Sequence, residues 1–126
     1  MKLLLTIMLT IASTKAIAEC HGRYKVNKAA REANVSYLVL EPNVMQKFCL
    51  DIPKDSTGRF IELGSVNLSN AQCSDVRMKV ISPDGSKYRS RGSQPGTIGK
   101  FLPGHWVVRL TLKEGCTKYS LNAKWY

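Results

Sequence analysis

The sequence predicts an all-β protein, a small antiparallel β-sandwich, because apolar and polar residues alternate with a period of two in its second half. The apolar positions of the three clearest runs are Val76, Met78 and Val80; Trp106, Val108, Leu110 and Leu112; and Tyr119, Leu121, Ala123 and Trp125. Turn residues bound these runs, Pro83 and Gly85 after the first and Pro103 and Gly104 before the second. Alternation places each apolar set on one face of a sheet, and the two tryptophans require a second layer to cover them.

The last two runs predict a hairpin within one sheet. If Leu112 lies opposite Tyr119, then Trp106 lies opposite Trp125, and the apolar face stays in register along both strands.

Earlier segments predict further strands with the same alternation, at residues 35–40, 45–52, 59–68 and 97–102. In the third of these the apolar parity changes between Leu63 and Val66, which predicts a β-bulge at Gly64 and Ser65. The alanine-rich residues 25–33 are interpreted as one short N-terminal helix or a solvated loop, because isolated helices of this length are marginal in water.

The amino terminus has the pattern of a cleaved secretory signal over residues 1–18. Lys2 precedes an apolar stretch, residues 3–11, and Ala16-Ile17-Ala18 is a small-residue cleavage site. Glu19 rather than a small residue precedes Cys20, which argues against a lipoprotein. We therefore expect a periplasmic or secreted protein in which residues 19–126 form a single domain.

Four cysteines, Cys20, Cys49, Cys73 and Cys116, predict two disulfides in an exported chain. Three pairings are open. Cys73 and Cys116 both follow strands of the predicted sandwich, which favours Cys73–Cys116 and leaves Cys20–Cys49. None of the spacings is that of a zinc site, so no metal and no cofactor is predicted.

Positive charge is the strongest compositional feature. The chain has 19 Lys and Arg against 9 Asp and Glu, and removing Lys2 and Lys15 with the signal leaves 17 − 9 = +8. A field of this sign favours anionic partners such as lipopolysaccharide, anionic glycans or acidic proteins. The alternative is a soluble domain whose polar faces are simply lysine-rich.

The predicted outward faces suggest a basic binding patch, together with residues 87–95, which are predicted to be an exposed loop around a short strand at Tyr88. Its members are Arg77, Lys79, Lys87, Arg89, Arg91, Arg109 and Lys124. Guanidinium groups bind carboxylate and phosphate in a bidentate manner, which suits an anionic ligand. Alternatively the cations only keep the sheet soluble and discourage edge pairing. Nucleic acid is not a predicted partner, because interleaved exposed aromatic residues are missing.

No catalytic residues are predicted, and the chain is interpreted as a non-enzyme. His21 lies in an unpatterned segment, and His105 would need Asp84 and a serine to make a triad, yet the sequence contains no Gly-x-Ser-x-Gly elbow. The carboxylates form no pair suited to acid–base chemistry.

From Phe48 onward the chain resembles the bacterial pre-peptidase C-terminal domain. The matching segments are FCLDIP, DVRMKVISPDG, LPGHWVVRL and YSLNAKW. The resemblance implies a jelly-roll-like sandwich of the kind found beside secreted proteases, and by analogy a targeting or binding role. The acidic cluster with which some such domains bind calcium is missing, since Asp75 and Asp84 stand alone.

These observations favour an exported, non-catalytic binding module that recognises an anionic envelope component or an acidic protein. The alternatives are a periplasmic inhibitor or immunity protein against a secreted toxin or enzyme, and an accessory subunit of an envelope or secretion complex.

Overall fold

The computed structural model describes residues 20–38, 43–67, 76–91, 96–112 and 118–126. These residues form ten strands and no helix. The strands are β1 (Gly22–Arg23), β2 (Lys25–Asn27), β3 (Glu32–Leu38), β4 (Gln46–Ile52), β5 (Ile61–Asn67), β6 (Val76–Ile81), β7 (Lys87–Arg91), β8 (Gly96–Ile98), β9 (Gly104–Leu112) and β10 (Lys118–Trp125).

The strands form two five-stranded sheets, which confirms the predicted sandwich. Sheet I has the order β1-β4-β9-β6-β7 and sheet II the order β2-β3-β10-β5-β8. Only the β1–β4 pair is parallel among the pairings of the described strands. The eight strands from β3 to β10 cross between the sheets in the manner of a double-sheet jelly roll.

The core lies between the sheets and is centred on the two tryptophans. Trp106 of β9 and Trp125 of β10 are 0% and 1% exposed, and both belong to one cluster of buried apolar residues. The indole Nε1 of Trp106 donates to the Leu102 carbonyl over 2.8 Å, which satisfies its only polar atom. Phe101 stacks on Trp125 with the ring centroids 5.9 Å apart.

The predicted hairpin between the last two strands is wrong. β9 lies in the middle of sheet I and pairs with β4 and β6, whereas β10 lies in the middle of sheet II and pairs with β3 and β5. Two strands with matching apolar faces can share a sheet or belong to opposite sheets, and periodicity does not distinguish these arrangements. Here each strand forms the centre of its own sheet.

The short N-terminal helix is also not formed. Residues 25–27 are β2, the Asn27 side chain accepts a hydrogen bond from the Ala30 amide over 3.2 Å, and Arg31 adopts a positive φ of 55°. The chain then returns as β3, which pairs with β2 in antiparallel fashion. Sheet pairing supplies backbone hydrogen bonds over the length of β3, which a helix of two turns would not sustain in water.

The predicted bulge in β5 is absent, because β5 pairs with β10 one residue to one from Ile61 to Asn67. Ser65 continues the inward parity of Ile61 and Leu63 and is 3% exposed, while Val66 points outward and is 47% exposed. A serine therefore occupies a core position next to an exposed valine, the reverse of what hydrophobicity indicates.

The Cys20–Cys49 disulfide is formed, with the Cα atoms 5.8 Å apart and a sequence separation of 29. It fixes β1 beside β4, where Arg23 lies opposite Cys49. A crosslink over a loop of this length stabilises the fold by about 3–4 kcal/mol through the unfolded state. The predicted Cys73–Cys116 bridge and the predicted signal, residues 1–18, lie outside the described residues.

The β6–β7 hairpin turns on the predicted Ser-Pro-Asp-Gly sequence. Gly85 has φ 88°, and its amide donates to the Ser82 carbonyl over 2.9 Å. The Asp84 carboxylate accepts hydrogen bonds from the Ser82 hydroxyl and, over 3.0 Å, from the Ser86 amide. Because this turn closes tightly, the short strand predicted at Tyr88 is formed and extends over Lys87–Arg91, so most of the region predicted as loop within these residues is paired. No helix of the length and apolarity needed to cross a membrane occurs among the residues that the structure describes.

The register of β5 predicts different costs for two truncations in the same strand. Val66→Ala is expected to lower the free energy of unfolding by less than about 1 kcal/mol, and Leu63→Ala by about 2–5 kcal/mol, because only Leu63 fills the core. Urea denaturation measures both. Equal, large losses would instead support the bulged register.

The Asp84 turn predicts a pH-dependent contribution to stability. The hydrogen bond from Ser82, followed by that from the Ser86 amide, holds the pKa of Asp84 below its usual value. A depressed pKa stabilises the folded state above the unfolded pKa of about 4, and this stabilisation is lost as the pH falls below it. Asp84→Asn should therefore lower the melting temperature at pH 7 and have progressively less effect below about pH 4. If the difference in melting temperature between Asp84→Asn and the wild-type protein does not change with pH, the Asp84 carboxylate does not stabilise the turn in this way.

Candidate anion-binding face

The outer face of sheet I carries a row of four cations on four neighbouring strands. Lys47 of β4 lies opposite Arg109 of β9, Arg109 opposite Lys79 of β6, and Lys79 opposite Arg89 of β7. We call these four residues the cation row. With strands about 4.8 Å apart, the row extends over about 14 Å across the sheet.

Strand alternation keeps the row on the outside. Met78 and Val80, the neighbours of Lys79 in β6, are 4% and 5% exposed, and Val108 and Leu110 beside Arg109 are 0% and 1% exposed. The burial of these neighbours in the core fixes the opposite orientation of the cations. Lys47, Lys79 and Arg109 are half-buried, and Arg89 on the edge strand is exposed.

Four of the described side-chain carboxylates pair with cations elsewhere, and the fifth, that of Glu62, accepts a hydrogen bond from the Tyr126 hydroxyl over 3.3 Å. The pairs are Arg23–Asp51 at 3.2 Å, Lys100–Asp84 at 3.7 Å, Lys124–Glu32 at 3.8 Å and Lys28–Asp55. Within the described ranges, no carboxylate forms an ion pair with a member of the cation row. The described part of the chain therefore supplies no carboxylate that offsets the repulsion among the four cations of the row.

The electrostatics of Lys79 reflect this crowding. The pKa of Lys79 is lowered by the charge of Lys87, next by desolvation, and then by Arg89 and Arg109. An anion bound beside Lys79 would remove this penalty, since an opposite charge favours the protonated amine.

An open groove of about 350 Å³ lies along three members of the row, Lys79, Arg89 and Arg109; we call it the outer groove. Its lining residues are Met45, Arg77, Met78, Lys79, Arg89, Arg109 and Thr111. The Nε of Arg109 is buried without a hydrogen-bond partner in the described part of the chain. The lining contains guanidinium donors, an ammonium, a hydroxyl and an exposed methionine but no acid, so it is suited chemically to an anion with an apolar portion.

The structure gathers most of the predicted basic patch. Arg77, Lys79, Lys87, Arg89 and Arg109 belong to neighbouring strands of sheet I, and Arg91 lies opposite Arg77 in backbone register.

Lys124 does not belong to this surface. It lies on β10 in sheet II, where it pairs with Glu32 and approaches the Tyr126 ring to 5.4 Å. Its assignment to the patch followed from the incorrect β9–β10 hairpin. Lys47 was missed: its outward parity is readable from the sequence, but the pairing of β4 with β9 is not.

His105 lies beside Asp51 and not beside Asp84, the carboxylate that a triad would have required. Its Nδ1 lies 2.6 Å from Asp51, which also accepts from Arg23, while Asp84 binds its own turn. No group of three His, Cys, Asp or Glu side chains suited to a metal occurs among the described residues.

Comparison with known proteins identifies similar structures but no family. No protein-family model matches the chain, and the search of curated proteins gave no match. PliG from Aeromonas hydrophila, a periplasmic inhibitor of g-type lysozyme, superposes with a TM-score of 0.53 at 13% identity over 81% of this chain and 92% of its own. The Yersinia pseudotuberculosis-derived mitogen superposes with a TM-score of 0.55 at 12% identity over 75% of this chain and 86% of its own.

The likeness is one of fold. At these identities, functional residues do not transfer between the proteins. Neither structure is a pre-peptidase C-terminal domain, and the resemblance to that domain stays a prediction.

The crowding of the row predicts a measurable change at Lys79. Lys87→Gln is expected to raise the pKa of Lys79, and by more than Arg109→Gln, because Lys87 exerts the largest lowering effect. NMR titration of the Lys79 side chain measures this value. Lys124→Gln, on the opposite sheet, serves as the control that leaves it unchanged. If neither Lys87→Gln nor Arg109→Gln raises the pKa of Lys79, the neighbouring cations do not repel one another in this way.

Proposed function

We propose that the protein is an exported, non-catalytic inhibitor that captures an acidic partner protein through the cation row. The observation that carries the proposal is a line of four cations on one sheet face, held by register and lacking carboxylate partners in the described chain. Such a line favours a complementary row of acids, because electrostatic complementarity determines partner choice and accelerates association.

Export is supported by three features. Residues 1–18 have the pattern of a signal, the Cys20–Cys49 disulfide suits an oxidising compartment, and the similar structure PliG is periplasmic.

The partner class that we favour is a secreted glycoside hydrolase. PliG inhibits a lysozyme, and glycoside hydrolases work with two carboxyl groups about 5–9.5 Å apart in an open cleft. Neighbouring and next-neighbouring positions of the cation row are separated by about 4.8 and 9.6 Å, one and two strand spacings. The row therefore has the spacing needed to contact both acids of such a cleft.

A second candidate is recognition of an anionic envelope glycan or lipopolysaccharide. The outer groove favours it, because its volume of about 350 Å³ is in the range of small-ligand sites.

The inhibitor proposal predicts salt-sensitive inhibition that depends on the cation row. In a panel of g-type and c-type lysozymes and other secreted glycosidases, the protein should inhibit at least one in a cell-wall lysis assay. Replacing three cations, in Lys79→Gln/Arg89→Gln/Arg109→Gln, should weaken that inhibition about 30-fold or more, since buried charge pairs at interfaces are strongly coupled. The effect should shrink in 1 M salt, where the Debye length is about 3 Å.

The matched control is Lys25→Gln/Lys54→Gln/Lys124→Gln, which changes the net charge equally but lies off the outer face of sheet I. Equal loss in both variants, or none in the first, would overturn the proposal. Retention on immobilised heparin or lipopolysaccharide that requires the cation row, without inhibition of any enzyme, would support the second candidate instead.

A further inference from the structure

A second depression lies at the open side of the sandwich, between the edge strands β7 and β8. This edge cleft has a volume of about 170 Å³. Its lining includes Leu63, Met78, Val80 and Ile98 from the inner faces of the two sheets, together with Tyr88 and Arg89. All four inner-face residues are at most 5% exposed, so the cleft opens directly onto the core.

The edge cleft adjoins the outer groove at Arg89, which lines both. Alternation along the strands produces this arrangement. On β7, Tyr88 turns towards the core while Arg89 turns outward, and on β6 Lys79 lies between the inward Met78 and Val80. An apolar cleft and a cationic groove are therefore separated only by the thickness of one edge strand.

The two depressions differ in what they can hold. A closed apolar cavity of about 150 Å³ is enough to bind benzene, so the edge cleft accepts a short alkyl segment. Arg89 lines the cleft, and Lys79 lies opposite Arg89 in the adjoining outer groove. Neither cation has a carboxylate partner in the described ranges. A free anion would leave the cleft unfilled, and a neutral lipid would leave the cations uncompensated. A molecule with an anionic head and an alkyl tail satisfies both.

We propose that this edge of the sandwich binds an anionic amphiphile. A phosphate or carboxylate head contacts Arg89 and Lys79, and the first part of the alkyl chain enters the edge cleft between Val80 and Ile98. The head group can come from a fatty acid or from a phospholipid or glycolipid phosphate. This site shares Arg89 and Lys79 with the cation row of the proposed inhibitor but also requires the edge cleft, so filling the cleft tests it independently of inhibition.

Octyl phosphate and octanoate, at concentrations where they stay monomeric, test the proposal on the whole chain. Calorimetry should show saturable binding at least tenfold tighter than that of octanol or of inorganic phosphate, because each control lacks one half of the recognised chemistry. The methyl NMR signals of Leu63, Val80 and Ile98 should shift with the same concentration dependence. A preference for octyl phosphate would point to a lipid phosphate, and a preference for octanoate to a fatty acid.

Two variants separate the halves of the site. Arg89→Gln should weaken octyl phosphate binding about fivefold or more, since it removes a charge-assisted contact. Thr97→Phe, at an exposed position of β8 on the rim of the edge cleft, should obstruct the tail and bring octyl phosphate down to the affinity of inorganic phosphate. Lys124→Gln should change neither.

The proposal is overturned if inorganic phosphate binds as tightly as octyl phosphate, if octanol binds as tightly as either amphiphile, or if the three methyl groups do not respond in the wild-type protein. The first and third outcomes would leave a simple anion site on the outer face of sheet I. The methyl measurement needs no substitution, so it decides the matter even if a variant fails to fold.

Discussion

The burial of two tryptophans from opposite sheets is the constraint on which the rest of this structure depends. Trp106 and Trp125 belong to the central strands β9 and β10, and each strand carries a regular series of buried residues on the same face. Because successive side chains of a strand point to opposite sides, fixing the tryptophans inward fixes every second residue outward. The position of Arg109 on the outer face is therefore set by the core, whatever that residue does there.

The same constraint explains why the cations accumulate on one sheet. Register places Lys47, Arg109, Lys79 and Arg89 side by side, and a slip of one residue in any pairing would drive a cation into the core. The sandwich therefore tolerates their repulsion because the cost of a slip is larger. Sheet II has a different outer face, on which Lys124 is balanced by Glu32. This contrast between a balanced and an unbalanced face is the reason why we propose sheet I, and not sheet II, as the binding surface.

The sequence predicted, for most strands, which side chains point into the core and which point outward, but it did not predict which strands pair with each other. Period-two alternation correctly assigned Trp106, Arg109 and Lys79 to their sides, because that property is local to each strand. It did not reveal that β9 and β10 lie in different sheets, because pairing depends on how the strands cross between layers. Because of the incorrect hairpin, Lys124 was assigned to the basic patch and Lys47 was missed. Lys47 belongs to β4, which pairs with β9 although the two strands are far apart in the sequence.

Ser65 marks a limit of a different kind, because here the face of the strand was itself predicted wrongly. Hydrophobicity placed Val66 inside and required a bulge, yet the backbone pairs without interruption and buries the serine hydroxyl without a hydrogen-bond partner in the described chain. Continuity of the β5–β10 ladder outweighs the burial of one valine, since a bulge leaves an extra residue unpaired and disrupts the ladder between two central strands. In a jelly roll the central ladders are fixed by many cooperating pairs, and local preference gives way there first.

The edges are less constrained: β7 has a pairing partner on one side only among the described strands, and there the charged outer face and the apolar interior come closest to each other. The proposed ligand site accordingly lies at an edge strand and not at one of the central ladders.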